Sequence, residues 1–317
     1  MKKLVGIFAF LIVLYGAVLI ADEGARSIQN HFNLGRRIGL YGIISLGAGI
    51  LIISGGIDLS IGSVVGLCAT LLAMLMKERA WNPALAMGTV LLLGAAIGLV
   101  NGLLVTKLRV QAFVATLCGL FIYRGAARWI ASDQPKGLQN DFVDWKYWLY
   151  SSRDVLGLPM SVVFLITLAL LATLFLHFSV YGRYLYAIGS NEQAARYSGI
   201  ATDRYKLLAY VLCSTLAALF GILFLLQENS AQPSDAGSFL ELYAIAGAVL
   251  GGCSLRGGEG TVLGILIGTA ILRILQNLVN MWDIPAALEY TVIGTALLVG
   301  AILDEWLRRR SLSRLAT

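Results

Sequence analysis

Long apolar runs separated by short polar punctuation fill this chain. They lie at about 4–21, 38–53, 61–76, 84–105, 110–130, 159–178, 205–226, 240–252, 262–280 and 285–303. Most suffice to cross a hydrocarbon layer of roughly 30 Å, which takes about 20 helical residues. Within that layer each backbone N–H and C=O needs a partner in its own helix or in a closed barrel. Barrel strands would alternate apolar and polar positions, and these runs are continuous. The pattern therefore predicts an all-α, polytopic integral membrane protein with about ten transmembrane helices, forming one transmembrane domain over 1–317. The eighth run is short for a span.

Composition agrees: of 317 residues, 58% are hydrophobic and only 13% charged, against about 25% charged in soluble domains. The net charge of +6 is scattered over helix ends and forms no basic face interleaved with aromatics, which argues against nucleic acid as a partner. Lys2, Lys3, Lys107, Arg109, the 183–206 segment and Arg308 to Arg310 all fall on one side of a ten-span chain. The preference of basic loops for the cytoplasm makes that side, with both termini, cytoplasmic. Arg26, Arg36 and Arg37 oppose this more weakly. The run at 4–21 is long for a signal peptide and reads as an uncleaved first span. Cys68, Cys118, Cys213 and Cys253 have no metal or disulfide spacing and read as apolar packing residues.

The punctuation carries the candidate chemistry. Ile53-Ser54-Gly55-Gly56-Ile57-Asp58-Leu59-Ser60-Ile61-Gly62-Ser63 places a carboxylate between two spans, where insertion costs about 2.5–3.5 kcal/mol at a bilayer centre. The glycines end one helix, and Asp58 or Ser60 is expected to cap the next. This is either an ordinary capped turn or a helix break lining a pathway. Leu250-Gly251-Gly252-Cys253 echoes it, which suggests an internal repeat. In 181–200, Ser190 and Gln193 have capping-box spacing, and Gly199 suits a left-handed stop. A short helix over 191–198 outside the membrane is predicted.

Inside the spans, Arg273, Gln276, Asn277 and Asn280 form a polar stripe at helical spacing. A hairpin turning near Met281 would bring Arg273 to Glu289, and an ion pair is expected because an unpaired charge there is expensive. Asn101, Gln111 and Thr116 read either as helix–helix glue or as pathway residues. The 132–158 loop holds Trp145, Tyr147, Trp148 and Tyr150, suited to a headgroup interface or to a soluble partner. No Gly-x-x-x-x-Gly-Lys-Ser/Thr, His-Glu-x-x-His or nucleophile elbow occurs, so enzyme chemistry finds no support.

Gly-Gly-Ile-Asp-Leu-Ser-Ile-Gly-Ser at 55–63 resembles the signature of the ribose/galactose-type permease subunits of bacterial ABC importers. Val110-Gln111-Ala112-Phe113-Val114-Ala115-Thr116-Leu117 and the run from Gly182-Arg183 to Ser198-Gly199-Ile200 are similar to the same family, and the likeness extends over about 38–303. The resemblance implies an inner-membrane, multi-pass permease subunit for a sugar, most simply a ribose-like monosaccharide. It implies a second permease subunit, identical or closely related, a cytoplasmic ATPase subunit and a periplasmic sugar-binding protein. No cofactor or metal is expected in this chain, ATP being bound by the partner. Ser190, Asn191, Glu192, Ala194, Ala195, Arg196, Ser198 and Gly199 would form a helix coupled to the ATPase. Asp58, Ser60, Asn101, Gln111, Phe113, Thr116, Gln276 and Asn277 are the expected pathway residues. The competing reading is a self-sufficient channel or ion-coupled carrier.

Overall fold

A computed structural model describes residues 2–21, 23–139, 141–151 and 157–282, with isolated positions out to 298. Twelve helices are assigned among them. They are α1 (Lys2–Ala21), α2 (Ile28–Ile53), α3 (Ile61–Ala73), α4 (Pro83–Thr106), α5 (Ala112–Ile130), α6 (Val143–Lys146), α7 (Met160–Thr173), α8 (Val180–Ser190), α9 (Glu192–Tyr197), α10 (Thr202–Glu228), α11 (Leu240–Leu250) and α12 (Val262–Met281). Wider turns, Met74–Glu78 and Leu174–Phe178, lengthen α3 and α7. Starts follow the local chemistry: Ser27, Asn82, Ser179 and Thr261 each accept an N–H of the first turn.

Among the described residues, seven helices are long and apolar enough to cross a membrane, and α1 and α11 have shorter apolar stretches. Of the expected last span, 285–303, only isolated positions are described. The central helix is α2, against which α7, α10, α11 and α12 pack, while α10 also joins α3 and α4, and α1 lies on α12. The α4–α10 contact is close because Gly94, Gly98 and Gly102 face it. A Cβ at Gly98 would stand 2.6 Å from the Tyr210 carbonyl, the small-residue contact by which membrane helices approach without a hydrophobic drive.

The bundle has two distinct ends. At one, β1 (Lys136–Gly137) pairs antiparallel with β2 (Ser230–Ala231), and Lys136 bonds Glu78 at 2.6 Å. At the other lie α8, α9, the α4–α5 turn and the break after Ile53.

The segment between α10 and α11, 229–239, is re-entrant. From β2 it runs back along α3, with the Ala236 carbonyl against Gly66 and the Gly237 carbonyl against Gly62. Gly62 is sixteen residues from Glu78, a descent of about 24 Å at 1.5 Å per residue. Helix α11 starts at that depth. Its 11 residues extend only about 16 Å, which explains its shortness: the loop supplies the rest of the crossing.

Candidate functional site: a buried polar break and a capped helix

The first break closes α2 in a Schellman turn. Gly55, at φ 78°, donates to the Ile52 carbonyl and Gly56 to Leu51. The chain then turns inward and buries Asp58 at 2% exposure. Its Oδ1 accepts both the Ser60 N–H (2.7 Å) and the Ser60 hydroxyl (2.6 Å). Asn101 of α4 donates to the same hydroxyl at 3.0 Å, and the Tyr123 hydroxyl of α5 donates to Asn101 Oδ1 at 2.8 Å. Tyr210 of α10 donates to the Ile57 carbonyl at 3.2 Å. Three helices thus converge on a seven-residue break. Asp58 Oδ2 and the Ser214 hydroxyl of α10 are both buried there, with Ser214 close enough to act on the Asp58 carboxyl.

The expected cap is corrected. Asp58 folds onto Ser60 in an Asx turn, and the Ser60 side chain makes no capping bond to α3. A carboxylate reaches this helix start from across the fold: Glu241, in the first turn of α11, lies against Gly62, where a Cβ would stand 2.2 Å from its Oε2. One carboxylate therefore joins the starts of α3 and α11, countering the positive dipole end of each. Beside it, Arg124 of α5 holds the re-entrant loop through the Pro233 and Ala236 carbonyls. Sequence reasoning missed Glu241, Arg124 and Tyr123. The signal available was an ionisable residue in or beside an apolar run; the contacts themselves are long-range.

At the other end of the break lies α9. The short helix exists, with its cap at Asn191, whose Oδ1 accepts the Ala194 N–H at 3.0 Å. The expected Ser190–Gln193 box is thereby corrected, since Ser190 is still the last residue of α8. Gly199, at φ 84°, ends α9, and the Ile200 N–H reaches the Ala195 carbonyl. Ala195 is buried; Ala194 and Arg196 to Gly199 are exposed. Charges tie α9 to its neighbours. Lys206 bonds Glu192 (2.5 Å), Arg196 reaches Glu192 and Asp203 (3.3 and 3.0 Å), and Arg109 of the α4–α5 turn meets Asp203 at 3.2 Å and Glu192 at 3.9 Å.

The other expected pathway residues make no hydrogen bond to Asp58, Ser60 or Asn101. Gln111 and Phe113 are exposed at the start of α5, and Thr116, though buried, donates to its own helix at Ala112. Gln276 accepts from Arg273 at 2.6 Å, and Asn277 bonds Asn30 of α2 at 2.9 Å. The Arg273 guanidinium lies over the rings of Tyr41 and Tyr243, 3.7 and 4.6 Å from their centroids, so aromatic faces supply part of its stabilisation. Glu289, its expected partner, lies outside the described residues.

The comparisons point one way. The family described as branched-chain amino acid transport system / permease component matches residues 30–301. The ribose import permease protein RbsC of Escherichia coli (strain K12) is 37% identical over 295 residues, 93% of this chain and 91% of that one. The protein of the same name from Bacillus subtilis (strain 168) is 35% identical, over 96% and 93%. The autoinducer 2 import system permease protein LsrC of an Enterobacter species (strain 638) is 34% identical, over 95% and 86%. No solved structure matches.

Proposed function

The chain belongs to the branched-chain amino acid transport system permease family, and from that membership we propose that it is the membrane-spanning subunit of an ATP-driven importer for a ribose-like sugar. The names of its ribose and autoinducer 2 relatives support this solute class. Such permeases are multi-pass proteins of the bacterial inner membrane and are transporters rather than enzymes.

The observation that carries the reading is α9. A six-residue helix outside the spans is too short to be stable alone. Here it is capped at both ends and held by charges from the α4–α5 turn and α10, while its outer face stays open. Tyr197, 89% exposed, projects from its end. That is a surface offered to a partner, and a separate ATPase subunit fits it. The chain has no phosphate-cradling motif of its own, so ATP belongs to that partner and this chain needs no cofactor. A periplasmic sugar-binding protein would deliver solute at the β1–β2 end, and a second permease, identical or closely related, would complete the channel. The N-terminal end of α1 lies on the α9 side of the bundle, which supports a cytoplasmic N-terminus.

In this reading ATPase closure displaces α9 and opens the bundle around the Asp58–Ser60–Asn101 cluster. Hydroxyl-rich solutes suit such a path, because carboxylate, hydroxyl and amide groups can exchange partners with a sugar without net charge moving. Two related halves are supported by the second break, where Gly252 and Cys253 close α11 with the same two bonds that Gly55 and Gly56 make on α2. The test is purification of the tagged chain from mild detergent, mass spectrometry of what accompanies it, and uptake of D-ribose into liposomes. A stoichiometric ATPase and ATP-dependent uptake are expected. Solute movement by the lone chain without ATP would overturn the reading in favour of a carrier.

A further inference from the structure

Three segments distant in sequence meet at Gly189, the penultimate residue of α8. At Gly189 itself they touch through backbone. A Cβ at Gly189 would lie 2.0 Å from the Ile53 carbonyl oxygen and 2.3 Å from the Gly258 nitrogen. A Cβ at Gly257 would lie 2.8 Å from Gly189 Cα and 2.9 Å from Gly55 Cα. The Gly258 N–H donates to the Ile53 carbonyl at 2.9 Å, closing one break on the other, and the Tyr186 hydroxyl of α8 donates to the Gly260 carbonyl at 2.7 Å. Gly55, Gly257 and Gly258 all have φ between 76° and 89°, a region costly to residues with a Cβ.

We infer that Gly189 is a positioning residue that keys the end of α8 to both glycine breaks, so that a displacement of α9 is carried into α2–α3 and α11–α12 together. Where side chains meet, a shift of an ångström or two can be absorbed by rotamer changes. At Gly189 no side chain intervenes, and interlocked backbone transmits what it cannot absorb. Asn191, the cap of α9, is two residues on. Asp58 is five residues beyond Ile53, and α12 begins four beyond Gly258. The joint therefore stands between α9 and the buried polar cluster on one side, and between α9 and α11, with its Glu241 tie to α3, on the other. The inference rests on the reading of α9 as the contact for the ATPase.

Spin-label distances in the full chain, bound to its ATPase in nanodiscs, test this without knowing the solute. Labels replace three exposed residues: Tyr197 at the end of α9, Leu255 in the second break and Trp148 at the far end. A Cys118→Ser background is used because the other cysteines are buried. Adding ATP to a hydrolysis-deficient ATPase should move Tyr197 and Leu255 together relative to Trp148, by about 1–2 Å or more, with the Tyr197–Leu255 distance unchanged. In Gly189→Ala the Leu255 shift should fall at least twofold while the Tyr197 shift persists. Tyr186→Phe, which adds no bulk, should show the same effect more weakly and serves if Gly189→Ala does not fold. Movement of Tyr197 with Leu255 static in the wild type would overturn the joint and leave the ATPase reading intact. An undiminished Leu255 shift in both variants would also overturn the joint. No association with an ATPase, or no movement of either label, would overturn the ATPase reading and the joint with it.

Discussion

Asn101→Asp separates electrostatics from packing at the buried break. The substitution is nearly isosteric, so a site held only by shape should tolerate it better than Asn101→Ala. The structure argues the reverse. Asn101 is fully buried and donates to the hydroxyl that itself donates to Asp58; summing 3.0 and 2.6 Å places the amide nitrogen at most 5.6 Å from Asp58 Oδ1. A second carboxylate there loses the donated bond. It also faces Asp58 with a repulsion of about 3 kcal/mol at an effective dielectric of 20.

Asn101→Ala loses two interhelical bonds, worth about 0.6 kcal/mol each on average between membrane helices. It leaves Ser60 bonded to Asp58 and the half-exposed Tyr123 free to find water, so its total is about 1–2 kcal/mol including a small cavity. The expected order in thermal unfolding in detergent is wild type, then Asn101→Ala, then Asn101→Asp. The Asp variant should recover towards the Ala variant as the pH is lowered, since protonating either carboxylate removes the repulsion. An Asp variant as stable as wild type near pH 7.5 would refute the reading of Asn101 as a donor facing the Asp58 carboxyl.

Gly62→Ala should destabilise by about 1–3 kcal/mol through overpacking, because its Cβ would stand 2.2 Å from both Glu241 Oε2 and the Gly237 carbonyl. Adding Glu241→Ala should not rescue it, since the carbonyl remains; rescue in a melting assay would sink the re-entrant packing. Gly199→Ala meets no neighbour, so its cost is the left-handed backbone alone, about 1–2 kcal/mol. Gly199→Asn should restore most of the ATP-dependent uptake that Gly199→Ala loses, and equal uptake by all three proteins would count against α9 as the coupled element. Arg128 holds the Asp133 carboxyl below its ordinary range by hydrogen bond and charge. Such a group stabilises the fold above its unfolded pKa and loses that contribution as acid passes its folded one. Both side chains are about half exposed, so screening leaves little, and Asp133→Asn should leave the melting temperature unchanged between pH 5 and 8.

Much of this was readable in advance. The positions of α1 to α5, α7 and α10 to α12 follow the apolar runs, because a helix in lipid must satisfy its own backbone and so declares itself locally. The stop at Gly199 was equally local. Caps were less secure: Asn191 displaced Ser190 by one residue, since several small polar residues in a row can each serve and the winner is set by where α8 ends. At the first break the local expectation failed altogether. Asp58 and Ser60 bond each other, and the carboxylate that lies against the start of α3 comes from a residue 179 positions downstream of Gly62.

The sequence by itself determined a helical membrane protein, the positions of its breaks, its lack of an ATP-cradling motif and, through three motifs, its family. These are properties of composition, of local backbone need and of short strings. Only the tertiary structure decided that 229–239 turns back along α3, that Glu241 joins two helix starts, and that Gly55, Gly189, Gly257 and Gly258 meet at one point. Each of these is a contact between segments far apart in the chain. A glycine shows from sequence only what it permits; what approaches the space left by its missing side chain depends on how the helices pack.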